Sequence, residues 1–131
     1  MLRPQGEQSR AMGTALQVVY VGEETRGDAV AAALPDAEVT SERDGAGALD
    51  RLERDEVDCV VVENESVGGN GGELLATVGR RAPAVARVLL AESVRDAPDD
   101  AAFVPTRPRS GLPARTARRI ERETVARASE T

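Results

Sequence analysis

Histidine, lysine and tryptophan are missing from this sequence, and cysteine, tyrosine and phenylalanine occur once each. Without histidine there is no imidazole base and no histidine metal ligand, and without lysine there is no Schiff-base chemistry. The 2% aromatic content leaves the core to valine, leucine and alanine. With Tyr20 and Phe103 as its aromatics, the chain is poorly equipped to stack a flavin. Cys59 has no second cysteine to pair with, which suits a reducing compartment. It lies inside an apolar run and reads as a small core residue rather than a reactive thiol. No apolar run approaches the length of a membrane span, and the N-terminus has no signal-peptide core, so a cytoplasmic protein is expected.

All 17 positive residues are arginine, set against 23 acids. Residues 1–104 hold 20 acids and 10 arginines, a balance of −10, whereas residues 105–131 hold 3 acids and 7 arginines, a balance of +4. A surplus of carboxylates without lysine fits a halophilic, high-salt cytoplasm; a GC-rich genome gives the same preference for arginine over lysine. A chain of 131 residues is sized for one domain.

Residues 1–14 (MLRPQGEQSRAMGT) are polar and without period, and are expected to be a disordered N-terminal arm. The domain is expected over 15–128. Leu16 to Val21 is apolar at consecutive positions, as in a strand covered on both faces. Thr25 is placed to cap a first helix with Val30, Ala33 and Leu34 inward and Pro35 at its end. Ala37 to Thr40 is a short second strand, and 44–55 a second helix with Ala48, Leu49 and Leu52 inward. Val57 to Val62 is the third strand. Asn70 is placed to cap a third helix, with Glu73 in its first turn and Leu74, Leu75 and Val78 inward. Ala86 to Ala91 and Ala102 to Val104 are the fourth and fifth strands. A basic C-terminal helix over about 113–128 turns Ala117, Ile120, Thr124 and Ala128 inward. Strand and helix alternate throughout, which predicts an α/β fold: a doubly wound five-stranded parallel sheet in the flavodoxin-like order 2-1-3-4-5. Between Ala91 and Arg107 the acidic, proline-interrupted ESVRDAPDD leaves a shortened or missing fourth helix.

The topology predicts a crevice outside the ends of strands 1 and 3, where the loops starting Gly22-Glu23-Glu24 and Glu63-Asn64-Glu65 meet. Carboxylates there can bind a hard cation, and Glu23, Glu63 and Glu65 are the candidate ligands for a weakly held Mg²⁺; no other cofactor is expected. The alternative reading is solvated loop acids on an acidic protein. Gly68-Gly69-Asn70-Gly71-Gly72 lacks the Lys-Ser/Thr of a phosphate-binding P-loop and the G-x-G-x-x-G order, and reads as a connection.

From Val18 to Pro108 the chain resembles a response-regulator receiver domain, the phosphoaspartate switch of two-component signalling and phosphorelay. The stretch DCVVVENESVGGNGGELL carries the resemblance: Asn70, Gly71, Glu73, Leu74 and Leu75 match the Asp/Asn-Gly-x-Glu-Leu that follows the third strand of receivers. VVYVGEE resembles their first strand with its acidic pair, and FVPTRP their fifth strand with its Lys-Pro. The resemblance implies degenerate phosphorylation-site positions. The phosphoacceptor aspartate falls on Glu63, the acidic pair on Gly22 and Glu23, the Ser/Thr on Ala91 and the lysine on Arg107. Ser66-Val67 replaces the Met-Pro pair. Glutamate reaches about 1.5 Å further than aspartate, a misplacement that costs much of an oriented phosphoryl transfer.

These features point to a pseudo-receiver: a stand-alone signalling module, not an enzyme, that acts through protein–protein interaction without phosphorylation. The resemblance also places Glu63 and Arg107 in one pocket, which predicts an ion pair between them. Alternatives are an atypical working phosphoreceiver and a small-ligand or nucleotide-binding flavodoxin-like domain. Arg115, Arg118, Arg119 and Arg122 form the candidate partner surface, for a protein of a signalling pathway or a second copy in a homodimer. No membrane partner is expected. Nucleic acid is not expected either, because there is no helix-turn-helix and Glu121 and Glu123 interrupt the basic face.

Overall fold

The structure, a computed structural model, describes residues 15–130. The arm expected at 1–14 lies outside them. Five strands form one parallel sheet in the order β2-β1-β3-β4-β5: β1 (Leu16–Val21), β2 (Ala37–Glu42), β3 (Cys59–Glu63), β4 (Ala86–Ala91) and β5 (Ala102–Pro105). The helices are α1 (Glu24–Ala33), α2 (Gly45–Arg54), α3 (Gly71–Arg81) and α4 (Leu112–Glu130). This is the doubly wound order expected from the alternation of elements. Among the described residues no helix is long and apolar enough to cross a membrane.

Side-chain parity along the strands separates two apolar layers. Val18, Tyr20, Cys59, Val61, Val88 and Leu90 face α1 and α4. Val19, Val21, Val60, Val62 and Leu89 face α2 and α3. The central strands β3 and β4 are buried along their whole length, which is why their sequences run apolar without alternation. Cys59 is fully buried, and desolvation pushes its thiol far above the ordinary range, so it is a core residue.

Several local expectations are corrected. Thr25 lies inside α1 rather than capping it; Glu23 holds the cap position without a side-chain bond. Val30 and Leu34 turn inward as expected, but Ala33 is exposed and Gly27 is buried in its place. Asn70 sits at the start of α3 without capping it. The Gly71 N–H donates instead to Asn64 Oδ1 at 2.8 Å, so a residue of the preceding 3-10 turn (Asn64–Val67) closes this helix start. On α4 the inward residues are Leu112, Thr116, Ala117 and Ile120, while Ala128 is exposed. Strand β2 runs two residues beyond its expected end at Thr40, to Glu42.

The span between β4 and β5 carries only a three-residue 3-10 turn, Val94–Asp96, where a fourth helix was expected to be short or missing. Ala97, Ala101 and Phe103 pack against the α2/α3 layer in its place. The segment lies close to the start of α3: a Cβ on Gly72 would stand 2.3 Å from the Asp96 carbonyl oxygen. It is also pinned by a residue that an apolar strand gives no reason to expect. Arg87, on β4 and 4% exposed, donates to Asp100 Oδ2 at 2.9 Å and to the Leu75 carbonyl at 3.4 Å. Gly79 on α3 makes room for its guanidinium, since a Cβ there would meet Nη1 at 2.2 Å.

Candidate functional site

Strands β1 and β3 end side by side at the switch point, and Gly22, just after β1, meets the side chain of Glu63, the last residue of β3. Glu63 continues the parity of Cys59 and Val61, so its side chain lies on the face that Tyr20 shares on the neighbouring strand. Glu63 is 5% exposed and four donors surround its carboxylate. Tyr20 donates its phenolic O–H to Oε2. At Oε1, Arg26 Nη1 donates at 2.8 Å, Ser66 Oγ at 2.5 Å and the Glu23 backbone N–H at 3.4 Å. A carboxylate offers about four lone-pair sites, so this one is satisfied by its own domain. Arg26 is supplied by the first turn of α1, the helix that covers this face, and also approaches Glu23 at 3.6 Å.

Gly22 completes the arrangement by what it lacks. A Cβ at that position would stand 2.4 Å from Glu63 Cδ and 2.5 Å from Oε1. The glutamate thus occupies the space that any side chain at position 22 would need, so the residues at 22 and 63 are linked through packing. The electrostatics follow. Burial first, then the bond to Glu63, raises the Tyr20 phenol far above its ordinary value, so it stays a donor. Burial opposes the charge of Arg26, but Glu63 and Glu23 more than offset it, and its guanidinium holds its proton more firmly than usual.

Arg107 is not the partner of Glu63. Its side chain is 78% exposed and meets Glu92 at 3.2 Å. The expected pair fails because β5 ends before it and the chain turns outward, whereas Arg26 is already anchored on the helix above the pocket. At the expected cation site the three acids each lie beside an arginine of this chain. Glu63 spends its oxygens on Arg26, Tyr20 and Ser66, Glu23 is directed to Arg26, and Glu65 lies out at Arg109 at 3.9 Å. Among the described residues no group of three or more acids or cysteines is placed to hold a metal ion. Ala91 is buried at the end of β4 and offers no hydroxyl.

Sequence reasoning missed Tyr20 and Arg26 as members of the site. Strand parity carried the signal for Tyr20, two residues before Gly22 on the Glu63 face. Arg26 had a weaker one, as the basic residue in the first turn of the following helix. On α4, Arg115 is turned back to the Pro105 carbonyl at 2.9 Å and Arg119 pairs with Glu123 at 3.0 Å. Arg118 and Arg122 are exposed.

Comparison with protein-family models and with curated protein sequences gave no match. Solved structures do match. The signal receiver domain of an HD-domain-containing protein from Pseudomonas fluorescens superposes with a TM-score of 0.73 at 17% identity, over 89% of this chain and 91% of that one. A CheY-like receiver domain protein from Methanospirillum hungatei gives 0.69 at 15% identity, over 90% and 100%. A response regulator from Thermotoga maritima gives 0.66 at 18% identity, over 85% and 98%. The chain therefore has the fold of response-regulator receiver domains, and Glu63, at the end of β3, is a buried glutamate that its own domain holds.

Proposed function

We propose that this protein is a receiver-like signalling module that works through protein–protein contacts and without phosphorylation or catalytic turnover. One observation carries the reading: the Glu63 carboxylate is engaged by Tyr20, Arg26 and Ser66 and fills the space over Gly22. An acceptor carboxylate needs a free oxygen, a cation beside it and donors aimed at the incoming phosphoryl oxygens. Here the cation beside the carboxylate is an arginine already paired with it through Nη1, and Ala91 has no donor to give. The pocket is a fixed charge pair where a receiver holds a switch.

The outward side of α4 is the surface available to a partner. Arg118 and Arg122 stand free of the body, beside the exposed apolar Val125, and a protein with acidic groups around a small apolar patch would complement them.

The experiment is incubation with acetyl phosphate and Mg²⁺ followed by intact-mass measurement. The expected result is an unchanged mass. A gain of one phosphoryl group, lost at alkaline pH as an acyl phosphate is, overturns the reading in favour of a working phosphoreceiver that uses Glu63 or a neighbouring acid.

A further inference from the structure

Between α1 and α4, above Tyr20 and Leu90 of the sheet, lies a cavity of about 190 Å³. It is separate in chemistry from the acidic crevice at Gly22. Its walls are largely apolar, with Val30, Leu112 and Pro113 among them, and its polar members are Arg26, Arg109 and Thr116. Thr116 is fully buried, and its hydroxyl has no hydrogen-bond partner. A threonine inside a helix commonly bonds back to the carbonyl four residues earlier, and Thr124 on this same helix does so, to Ile120 at 2.9 Å. Thr116 does not, and its buried hydroxyl is left at a cost unless something enters the cavity to meet it. Thr106 repeats the pattern. Its hydroxyl is buried without a partner too, and it lines a small gap that shares Tyr20, Arg26, Leu90, Arg109 and Leu112 with the cavity.

Both arginines have donors to spare. Arg26 commits Nη1 to Glu63 and approaches Glu23 with Nη2 at 3.6 Å, and Arg109 meets Glu65 only at 3.9 Å, while a guanidinium carries five N–H groups in all. The volume corresponds to roughly six water molecules at ~30 Å³ each, below the range of drug-sized pockets. We propose that this cavity binds a small monocarboxylate with an apolar body, its carboxylate at Arg109 and Arg26 and its hydrocarbon against Leu90, Val30 and Leu112. Apolar walls with a few convergent donors are the make-up of a small-molecule site. A guanidinium fork matches a carboxylate in two bonds. Glu63 and Glu65 line the adjoining gap, and their charge penalises a dianion more than a monoanion, which favours carboxylate over phosphate. The site rests on this geometry and stands whether or not the signalling reading does.

Tyr20 is the sole tyrosine and tryptophan is absent, so intrinsic emission reports the floor of the cavity directly. The full chain is titrated with hexanoate and with cyclohexanecarboxylate, which do not absorb where tyrosine does, and with hexanol, cyclohexylmethanol and inorganic phosphate as controls. The expected result is a saturable change in Tyr20 emission with a carboxylate, accompanied by a higher thermal midpoint. The alcohols and phosphate should bind about tenfold more weakly, the weight of a charged hydrogen bond. Arg109→Gln, at an exposed side chain, should weaken the carboxylate by a similar factor. Ala29→Leu, which fills the cavity from α1, should abolish the response. If Ala29→Leu does not fold, Arg109→Gln and the neutral controls still decide. No saturable response to either carboxylate overturns the proposal and leaves a cavity that holds water alone; an equal response to the alcohols or phosphate, or full retention of binding in Arg109→Gln, overturns the carboxylate assignment.

Discussion

At the scale of residues, the site is a set of linked exchanges. Glutamate at 63 needs glycine at 22, because the two compete for one volume. It needs Tyr20 and Arg26 because a buried carboxylate without donors is costly. Gly22→Ala should therefore destabilise the fold by about 1–3 kcal/mol through overpacking. Most of that loss should disappear when Glu63→Ala is added, and denaturant unfolding of the single and double variants measures it. The phenol gives a pH test. Tyr20 titrates far above its ordinary value of 10.0 in the fold and near that value when unfolded. Its contribution to stability is thus fully present below pH 10.0 and falls as the pH rises further, since the unfolded chain loses the proton first. Tyr20→Phe should show a shallower loss of stability on that alkaline side, and should cost about 1.5–3 kcal/mol at neutral pH for the lost bond to a charged acceptor.

At the scale of elements, the span between β4 and β5 is where the fold departs most from a regular alternation. Its place is held by one buried arginine rather than by a helix. Asp100 is exposed, but it is the charged partner of Arg87, whose Nε already lacks a bond. Asp100→Asn should cost about 1–3 kcal/mol, because it leaves buried guanidinium donors short of a charged acceptor. The bond to Arg87 holds the Asp100 carboxyl below its ordinary 3.8. The difference between wild type and variant is thus fully present above pH 3.8 and fades as the pH falls through the lower folded value. Thermal unfolding across acidic pH checks it. The sequence showed that this span was too short for a helix, because Pro98 and the acids are local signals. It did not show Arg87 as a clip, because nothing local distinguishes a buried arginine from a strand-end one; its partners come from α3 and from 13 residues downstream. Strand positions were legible to within two residues, since unbroken valine and leucine runs leave few alternatives. Helix caps were not: Asn64 took the role that position favours for Asn70, a choice made by the 3-10 turn that brings Asn64 over the helix start. The same limit applies to the pocket. The meeting of Gly22 and Glu63 followed from topology, while the identity of the cation did not, because Arg26 and Arg107 both sit near the sheet edge and only packing chooses between them.

At the scale of the whole molecule, charge sets the behaviour. The chain carries −6 overall, and its single basic concentration lies along α4, packed on the α1 side of an otherwise acidic body. Self-repulsion among the acids is screened as salt is added, over a Debye length of about 10 Å at 0.1 M. The thermal midpoint should therefore rise with KCl. A midpoint that stays flat or falls would reject charge repulsion as a limit on stability.

These scales converge on Glu63, whose partnership with Arg26 is what the proposed function rests on. A double-mutant cycle of Glu63→Gln and Arg26→Gln measures that partnership directly. Glu63 is buried and Arg26 is 38% exposed at the side chain, so the pair is worth more than a surface contact and less than a fully desolvated one. The coupling energy expected is about 1–3 kcal/mol. A coupling within about 0.3 kcal/mol of zero, the scatter of independent sites, would mean that the carboxylate is free of Arg26 and would contradict the account.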